Sequence, residues 1–266
     1  MTRRLDVELV ARGLARSRTQ ARELVTAGVV LVDGRPAGKP ALPVDDSSAI
    51  ELTREPDRWV GRAAVKLLHA LDTWPVPVDG RRCLDVGAST GGFTQVLLER
   101  GATHVTALDV GHGQLVASIG ADPRVRDLPG TNIRDVDADA LGGPFDLVVS
   151  DLSFISLAIA LPAMRPLVTD DGDVVVLVKP QFEVGRERLS RTGVVTSPHE
   201  RRRVLRDVAQ VAADLHLHLH GATASPIAGG DGNREFLFWL APRPVPGASV
   251  TAVDDMLEAV DLEGVP

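Results

Sequence analysis

A short apolar run that ends at glycine and reopens as a helix constrains this chain more than any other feature. It reads Leu84-Asp85-Val86-Gly87-Ala88-Ser89-Thr90-Gly91-Gly92-Phe93-Thr94. The pattern is a strand, a Gly-rich turn and a helix start. Glycines at such a turn let the backbone approach a ligand closely, and the first helical turn offers free N–H groups. Asp109 closes the next apolar run 22 positions after Gly87, where a carboxylate can hold ribose hydroxyls. The spacing is D-x-G-x-x-x-G-G rather than G-x-G-x-x-G. It suits the methionine and ribose parts of S-adenosylmethionine better than a pyrophosphate. Another nucleotide, or a tight turn with a purely structural role, satisfies the same pattern.

From Gly80 onward, short apolar runs alternate with helical stretches. The patterning predicts strands over 82–86, 105–110, 145–151 and 173–178, and helices over 92–100, 155–167 and 198–215. Strand–helix alternation with apolar strands implies a parallel sheet covered on both faces. Segments 215–222 and 235–241 flank Gly229-Gly230-Asp231-Gly232-Asn233 and read as a final antiparallel pair. A short acidic helix over 250–260 carries no assigned function.

A different unit precedes this fold. Leu5, Leu9, Val10 and Leu14 have helical spacing, with Gly13 near the end of that helix. A second helix is expected from Ser17, as N-cap, to the Gly28 stop. Val29-Val30-Leu31-Val32 then enters a hairpin turn at Asp33-Gly34. Residues 53–59, with Pro56 and several charges, read as a linker. The expected division is therefore 1–58 and 59–266.

Charge separates the two parts. The whole chain is −7, but residues 1–40 carry eight basic and four acidic side chains, leaving −11 on the remainder. A basic module on an acidic body suits phosphate binding; a solvated Arg-rich helix face accounts for it equally. Mean hydropathy is +0.06, and no apolar run approaches the roughly 20 residues of a spanning helix. The first six residues lack a signal-peptide core. One cysteine, Cys83, excludes an internal disulfide framework and a cysteine-based zinc site. A cytoplasmic protein is expected, without membrane or metal.

Lysine usage directs attention to chemistry. Lys39, Lys66 and Lys179 are the only lysines among 29 basic residues. An amine can lose its proton in a suitable site, whereas a guanidinium cannot. Lys179 follows the apolar run Val174–Val178, and Asp151 follows the run that starts at Phe145. Open α/β sheets bind ligands at such strand tips.

The runs Gly87–Thr94, Asp151-Leu152-Ser153-Phe154-Ile155-Ser156-Leu157, Lys179-Pro180-Gln181-Phe182-Glu183 and Gly232-Asn233-Arg234-Glu235-Phe236 resemble those of the TlyA (hemolysin A) family. Gly13-Leu14-Ala15-Arg16-Ser17-Arg18 and Asp33-Gly34 fit the family's small domain, so the resemblance spans nearly the whole chain. It implies a Rossmann-like class I methyltransferase fold: α/β, with a mostly parallel seven-stranded sheet and a C-terminal antiparallel strand. A small N-terminal α+β RNA-binding domain of the S-four type precedes it.

The implied activity is 2′-O-methylation of cytidine ribose in 16S and/or 23S ribosomal RNA, with S-adenosylmethionine as methyl donor and ribosomal RNA or ribosomal subunits as partner. The implied catalytic set is Lys66, Asp151, Lys179 and Glu235. The cofactor set is Asp85, Gly87, Ser89, Gly91, Gly92, Phe93, Asp109 and Asn132, and the RNA set is Arg4, Arg16, Arg18, Lys39 and Arg62. The family's S-R-G-A-x-K-L is Gly61-Arg62-Ala63-Ala64-Val65-Lys66-Leu67 in this chain, and its Y-G-Q-L-A-W is His112-Gly113-Gln114-Leu115-Val116-Ala117.

Ribose 2′-hydroxyls are poor nucleophiles, so in-line attack on a sulfonium methyl benefits from a base and close placement. Lys179 is the expected base, with Asp151 directing its amine and Glu235 positioning Lys66 or the ribose. The two lysines could instead stabilise a developing alkoxide. The alternative function is a non-catalytic RNA-binding or ribosome-assembly factor with a decayed methyltransferase domain. His216, His218 and His220 alternate on one face of an expected strand; an exposed sheet face explains them better than metal binding does.

Overall fold

Strands buried along most of their length, with apolar side chains on both faces, sit inside a sheet covered on both sides. Four such strands occupy the centre: β1 (Arg82–Val86), β4 (Phe145–Ser150), β5 (Val168–Val178) and β7 (Phe236–Ala241). With β2 (His104–Asp109), β3 (Val125–Pro129) and β6 (His218–Ala224), they form a seven-stranded sheet in the order β6-β7-β5-β4-β1-β2-β3. Only β7 runs against its neighbours, pairing antiparallel with both β5 and β6. The computed structural model describes residues 2–15, 18–54, 58–185, 187–245 and 250–263.

Alternate residues of the central strands enter two separate cores. Val148, Val174, Val176 and Phe238 face α3 (Leu157–Met164) and α4 (Pro198–Asp214). Cys83, Leu147, Val175 and Leu237 face α1 (Ala63–Thr73) and α2 (Gly92–Glu99). Helix α3 starts where the Ser156 hydroxyl accepts from the Ala158 N–H, and it gives way to a 3-10 turn over Arg165–Leu167. A last helix, α5 (Val250–Glu258), occupies most of the segment expected to be helical.

Four departures from the patterning stand out. Helix α1 and edge strand β3 were not expected. Strand β5 begins at Val168, five residues early, with a register shift between Val168 and Asp173. The three histidines do not all lie on the strand. His216 stands in a left-handed turn ahead of β6, and a register shift between Leu219 and Gly221 leaves His220 stacked on Trp239.

The chain divides into two compact units, Met1–Arg58 and Trp59–Pro266. The first holds helices Leu5–Ala11 and Arg18–Thr26, a two-stranded pair of Arg3–Arg4 with Pro43–Val44, and a three-stranded sheet centred on Val30–Val32. Leu5, Leu9, Leu24, Val25 and Val30 form its core. Asp33 and Gly34 both have positive φ, the conformation of a two-residue hairpin turn. Ser17, the expected cap, and Arg16 lie outside the described residues.

Candidate active site

Parallel strands deliver their tips to one edge of the sheet, and an antiparallel strand delivers its start there. Strand β4 ends at Ser150 and presents Asp151; β5 ends at Val178 and presents Lys179. Phe236, the first residue of β7, pairs with Val178, so the preceding Glu235 arrives at the same edge. Helix α1 contributes Lys66, whose neighbours Ala64, Leu67 and Ala70 bury the helix against the sheet.

These four side chains form one connected charge cluster. Lys66 Nζ donates to Glu235 Oε2 at 2.7 Å and lies 3.4 Å from Asp151 Oδ2. Asp151 Oδ1 lies 2.6 Å from Lys179 Nζ, and Lys179 Nζ donates to Ser153 Oγ at 2.9 Å. Both lysines and Glu235 are buried. Two cations and two anions balance, as buried charges require. The Asp151–Lys179 contact is close but lies off the hydrogen-bond direction. Asp151 therefore supplies charge to Lys179, while Ser153 makes the aligned hydrogen bond.

All four residues line a cavity of about 750 Å³, together with Arg62, Gln181 and Phe182. A second cavity of about 740 Å³ is lined by Asp109, Asn132, Val110, Ile133 and Leu152. Both volumes suit small-molecule sites. Gly87, Ser89, Asp151, Ser153, Phe154 and Phe182 line both, so the cavities adjoin at Asp151. Phe154 stands at this junction, 92% exposed, with φ +65° and its ring 5.2 Å from that of Phe182.

The Gly-rich loop between β1 and α2 forms the shared wall, and its glycines are also closely packed against other parts of the protein. A Cβ on Gly87 would meet the Asp151 carbonyl at 3.0 Å. On Gly91 it would meet Leu115 at 2.7 Å, and on Gly92 the Ala64 nitrogen at 3.1 Å. The glycines make room for other parts of the protein, and Gly87 and Gly92 also face the cavities. Gly91 lines neither large cavity, whereas Gly87, Ser89, Gly92 and Phe93 do. The departure at Gly61 has a local reason, since a Cβ there would come within 2.6 Å of the Thr90 hydroxyl.

Asp85 also needs correction as a cofactor ligand. It is fully buried, accepts from the Thr94 hydroxyl at 2.7 Å and lines neither cavity. Burial, helped by the charges of Asp151 and Asp109 against the Thr94 hydrogen bonds, pushes its carboxyl up to about 7. Its place is under the loop. Asp109 remains at the wall, where its carboxylate accepts from Ser89 N at 2.8 Å and Gly111 N at 2.7 Å. Each oxygen keeps a further lone pair. Asn132 lines the same cavity and caps the turn at Ile133–Asp135. A carboxylate, an amide and apolar walls form a donor set that fits a nucleoside with a ribose diol.

The expected RNA-binding residues divide. Arg4 and Arg18 are not free: with Arg22 they converge on the buried carboxylate of Asp6, at 2.9, 3.1 and 3.2 Å. Their guanidinium groups remain half-exposed. Lys39 is exposed, and Arg62 is exposed beside the larger cavity. Sequence reasoning missed Ser153, Phe154 and Gln181 as site residues, although the first two lie inside the motif that carries Asp151.

Comparison with known proteins agrees with this architecture. Residues 59–241 match the FtsJ-like methyltransferase family and residues 3–50 the S4 domain. The chain is 50% identical over 262 residues to the 16S/23S rRNA (cytidine-2′-O)-methyltransferase TlyA of Mycobacterium tuberculosis, with 98% of each chain covered. It is 35% identical to Hemolysin A of Brachyspira hyodysenteriae, covering 88% of this chain and 98% of that one. A solved Streptococcus thermophilus structure that bears a hemolysin name superposes with a TM-score of 0.71 at 38% identity, covering 97% and 94% of the two chains. Among the described residues no helix is long and apolar enough to cross a membrane.

Proposed function

The chain belongs to the FtsJ-like methyltransferase family and carries an S4 domain ahead of that fold, and from this we propose that it methylates the 2′-hydroxyl of a cytidine in ribosomal RNA, with S-adenosylmethionine as donor. The observation that carries the reading is the convergence of Lys66, Asp151, Lys179 and Glu235 on a cavity that adjoins a nucleoside-shaped one. Its relatives, named as rRNA (cytidine-2′-O)-methyltransferases, favour ribosomal RNA as substrate. A ribosomal substrate places the enzyme in the cytoplasm.

The second cavity would hold the cofactor, with Asp109 on the ribose diol, Asn132 beside it and Val110, Ile133 and Leu152 around the base. When bound, S-adenosylmethionine supplies an electrophilic methyl on a sulfonium. The larger cavity would take the target ribose. There Lys179, once its ammonium has given up a proton, would accept the proton of the 2′-hydroxyl as its oxygen becomes the nucleophile. Lys66, held by Glu235, faces the charge that develops on that oxygen. Asp151 balances both amines. Phe154 offers an exposed ring at the cavity mouth, on which an unstacked base can lie.

In the S4 domain, Arg4, Arg18 and Lys39 would contact phosphates, which position RNA without reading its sequence. The intact cluster favours catalysis over a purely RNA-binding role. The test is incubation of the protein with ribosomal subunits, bare ribosomal RNA and labelled cofactor, followed by mapping of the labelled nucleotide. A labelled 2′-O-methylcytidine is the expected product. Transfer to a base or to protein, or no transfer to either substrate, would overturn the reading.

A further inference from the structure

An ion pair and a hydrogen bond constrain an amine differently. A lysine ammonium is a compact charge on a flexible stem, so a carboxylate can hold it close without setting the direction of its hydrogens. Lys179 shows the two effects on separate partners. Asp151 Oδ1 is near, at 2.6 Å, but off the hydrogen-bond direction. Among the described residues, Ser153 Oγ is the one partner in an aligned bond, at 2.9 Å.

The arrangement is paired across the cluster. Asp151 is shared by both lysines, while each lysine has one partner of its own: Glu235 for Lys66 and Ser153 for Lys179. Lys179 is buried, whereas Ser153 is exposed at the junction where both cavities meet. The serine therefore reaches the amine from the side on which donor and acceptor must approach each other.

Resting on the reading of Lys179 as proton acceptor, we propose that Ser153 is a positioning residue: by taking one N–H of Lys179, its hydroxyl aims the amine's remaining tetrahedral positions at the ribose oxygen. Asp151 holds the amine in place and Ser153 sets its rotation. The covalent chemistry is unchanged. Ser153 exchanges no proton with substrate.

Because the chain has only three lysines, the test can watch the amine itself. Full-length protein carrying ¹³C at the lysine ε-carbons gives signals from Lys39, Lys66 and Lys179, assigned through Lys→Arg variants. Ser153→Ala is expected to shift the Lys179 signal and leave that of Lys39 in place. It should lower kcat about 10- to 100-fold, the scale of a small misplacement of a reacting group. KM for ribosomal RNA and the cofactor dissociation constant should stay within about twofold. Ser153→Thr, which keeps the hydroxyl, should restore most of kcat and the Lys179 signal. Wild-type kcat in Ser153→Ala would overturn the proposal, and so would a loss of kcat with the Lys179 signal unmoved. Lys179→Arg, assayed alongside, separates the two ideas: an active Arg variant removes the premise, whereas an inactive one with a fully active Ser153→Ala removes Ser153 alone.

Discussion

Asp6 in the small unit and Asp151 in the large one are both carboxylates that gather several cations, yet the cations are placed oppositely. The three arginines on Asp6 keep side-chain exposures of 49, 54 and 54%, around a carboxylate with none. The two lysines on Asp151 are 6 and 9% exposed. A guanidinium has five donors, so it can face a buried anion and still offer donors to solvent or to a phosphate. A buried amine near a cavity has few directions left, and each one matters. One centre is organised to present charge, the other to aim it.

The sharpest test of that contrast exchanges arginine and lysine at the two centres. Lys179→Arg should lower methyl transfer by about 10²- to 10⁴-fold, the range of a lost general base, with cofactor affinity unchanged. Arg18→Lys should keep most of the RNA affinity, because a phosphate contact needs charge more than shape. Turnover assays and RNA titrations decide both, and a tolerated Arg at 179 or an intolerant 18 would erase the distinction.

Proton linkage separates the two units further. Guanidinium hydrogen bonds, Arg4 foremost, hold the Asp6 carboxyl well below the usual range despite its burial. Its contribution to stability is therefore full above the unfolded value near 4 and is lost as pH falls below it. Asp85 works the other way. Burial raises its carboxyl to about 7, so its contribution is full below about pH 4 and is lost as pH rises through about 7. Asp85→Asn should remove that loss, on the order of a few kcal/mol between pH 5 and 8. In thermal melts the variant should gain on the wild type as pH rises. A constant gap would show that Asp85 does not titrate in the folded protein.

Asp109→Ala should weaken cofactor binding by about 1–3 kcal/mol, the cost of a lost buried hydrogen-bond partner. It also frees the Ser89 and Gly111 N–H groups, so titration calorimetry should show the loss with cofactor alone, before RNA is added. An unchanged dissociation constant would take Asp109 out of the site. The smallest effect is expected at the surface. Lys39→Ala should weaken RNA binding evenly across sequences and lower the log–log salt slope by about one. A slope that does not move would make Lys39 a solvated side chain only.

What the residues revealed follows from how each element is stabilised. Strands β1, β4 and β5 were legible because burial on both faces demands uninterrupted apolar runs. Strand β3, Val-Arg-Asp-Leu-Pro, was not, because an edge strand bonded only to β2 tolerates two charges and a proline. Helix α1 was legible in principle from Ala64, Leu67, Ala70 and Leu71, but its start is masked by the linker-like stretch before it. The strand tips marked Asp151 and Lys179. Lys66 and Glu235 came from family resemblance, because nothing in their spacing shows that α1 and the antiparallel β7 meet at that edge. The glycines were recognisable as special, but spacing reveals where backbone freedom is needed, not that Asp151, Leu115 and Ala64 pack close to them. Ser153 was hidden because the angle of a contact cannot be read from residue order.

The tight space between Gly87 and the Asp151 carbonyl, where an added Cβ would come within 3.0 Å, has a consequence for redesign. The loop that walls the nucleoside-shaped cavity and the segment that carries the shared carboxylate leave no room for a side chain at Gly87 without pressing on the Asp151 backbone and the Leu152 side chain. A library that enlarges or reshapes the loop at Gly87, in search of altered donors, would shift the acid at the centre of the reaction with every added atom. Donor range and catalytic geometry are thus poorly separable in this scaffold. Variation is better placed at Val110, an exposed residue of the same cavity.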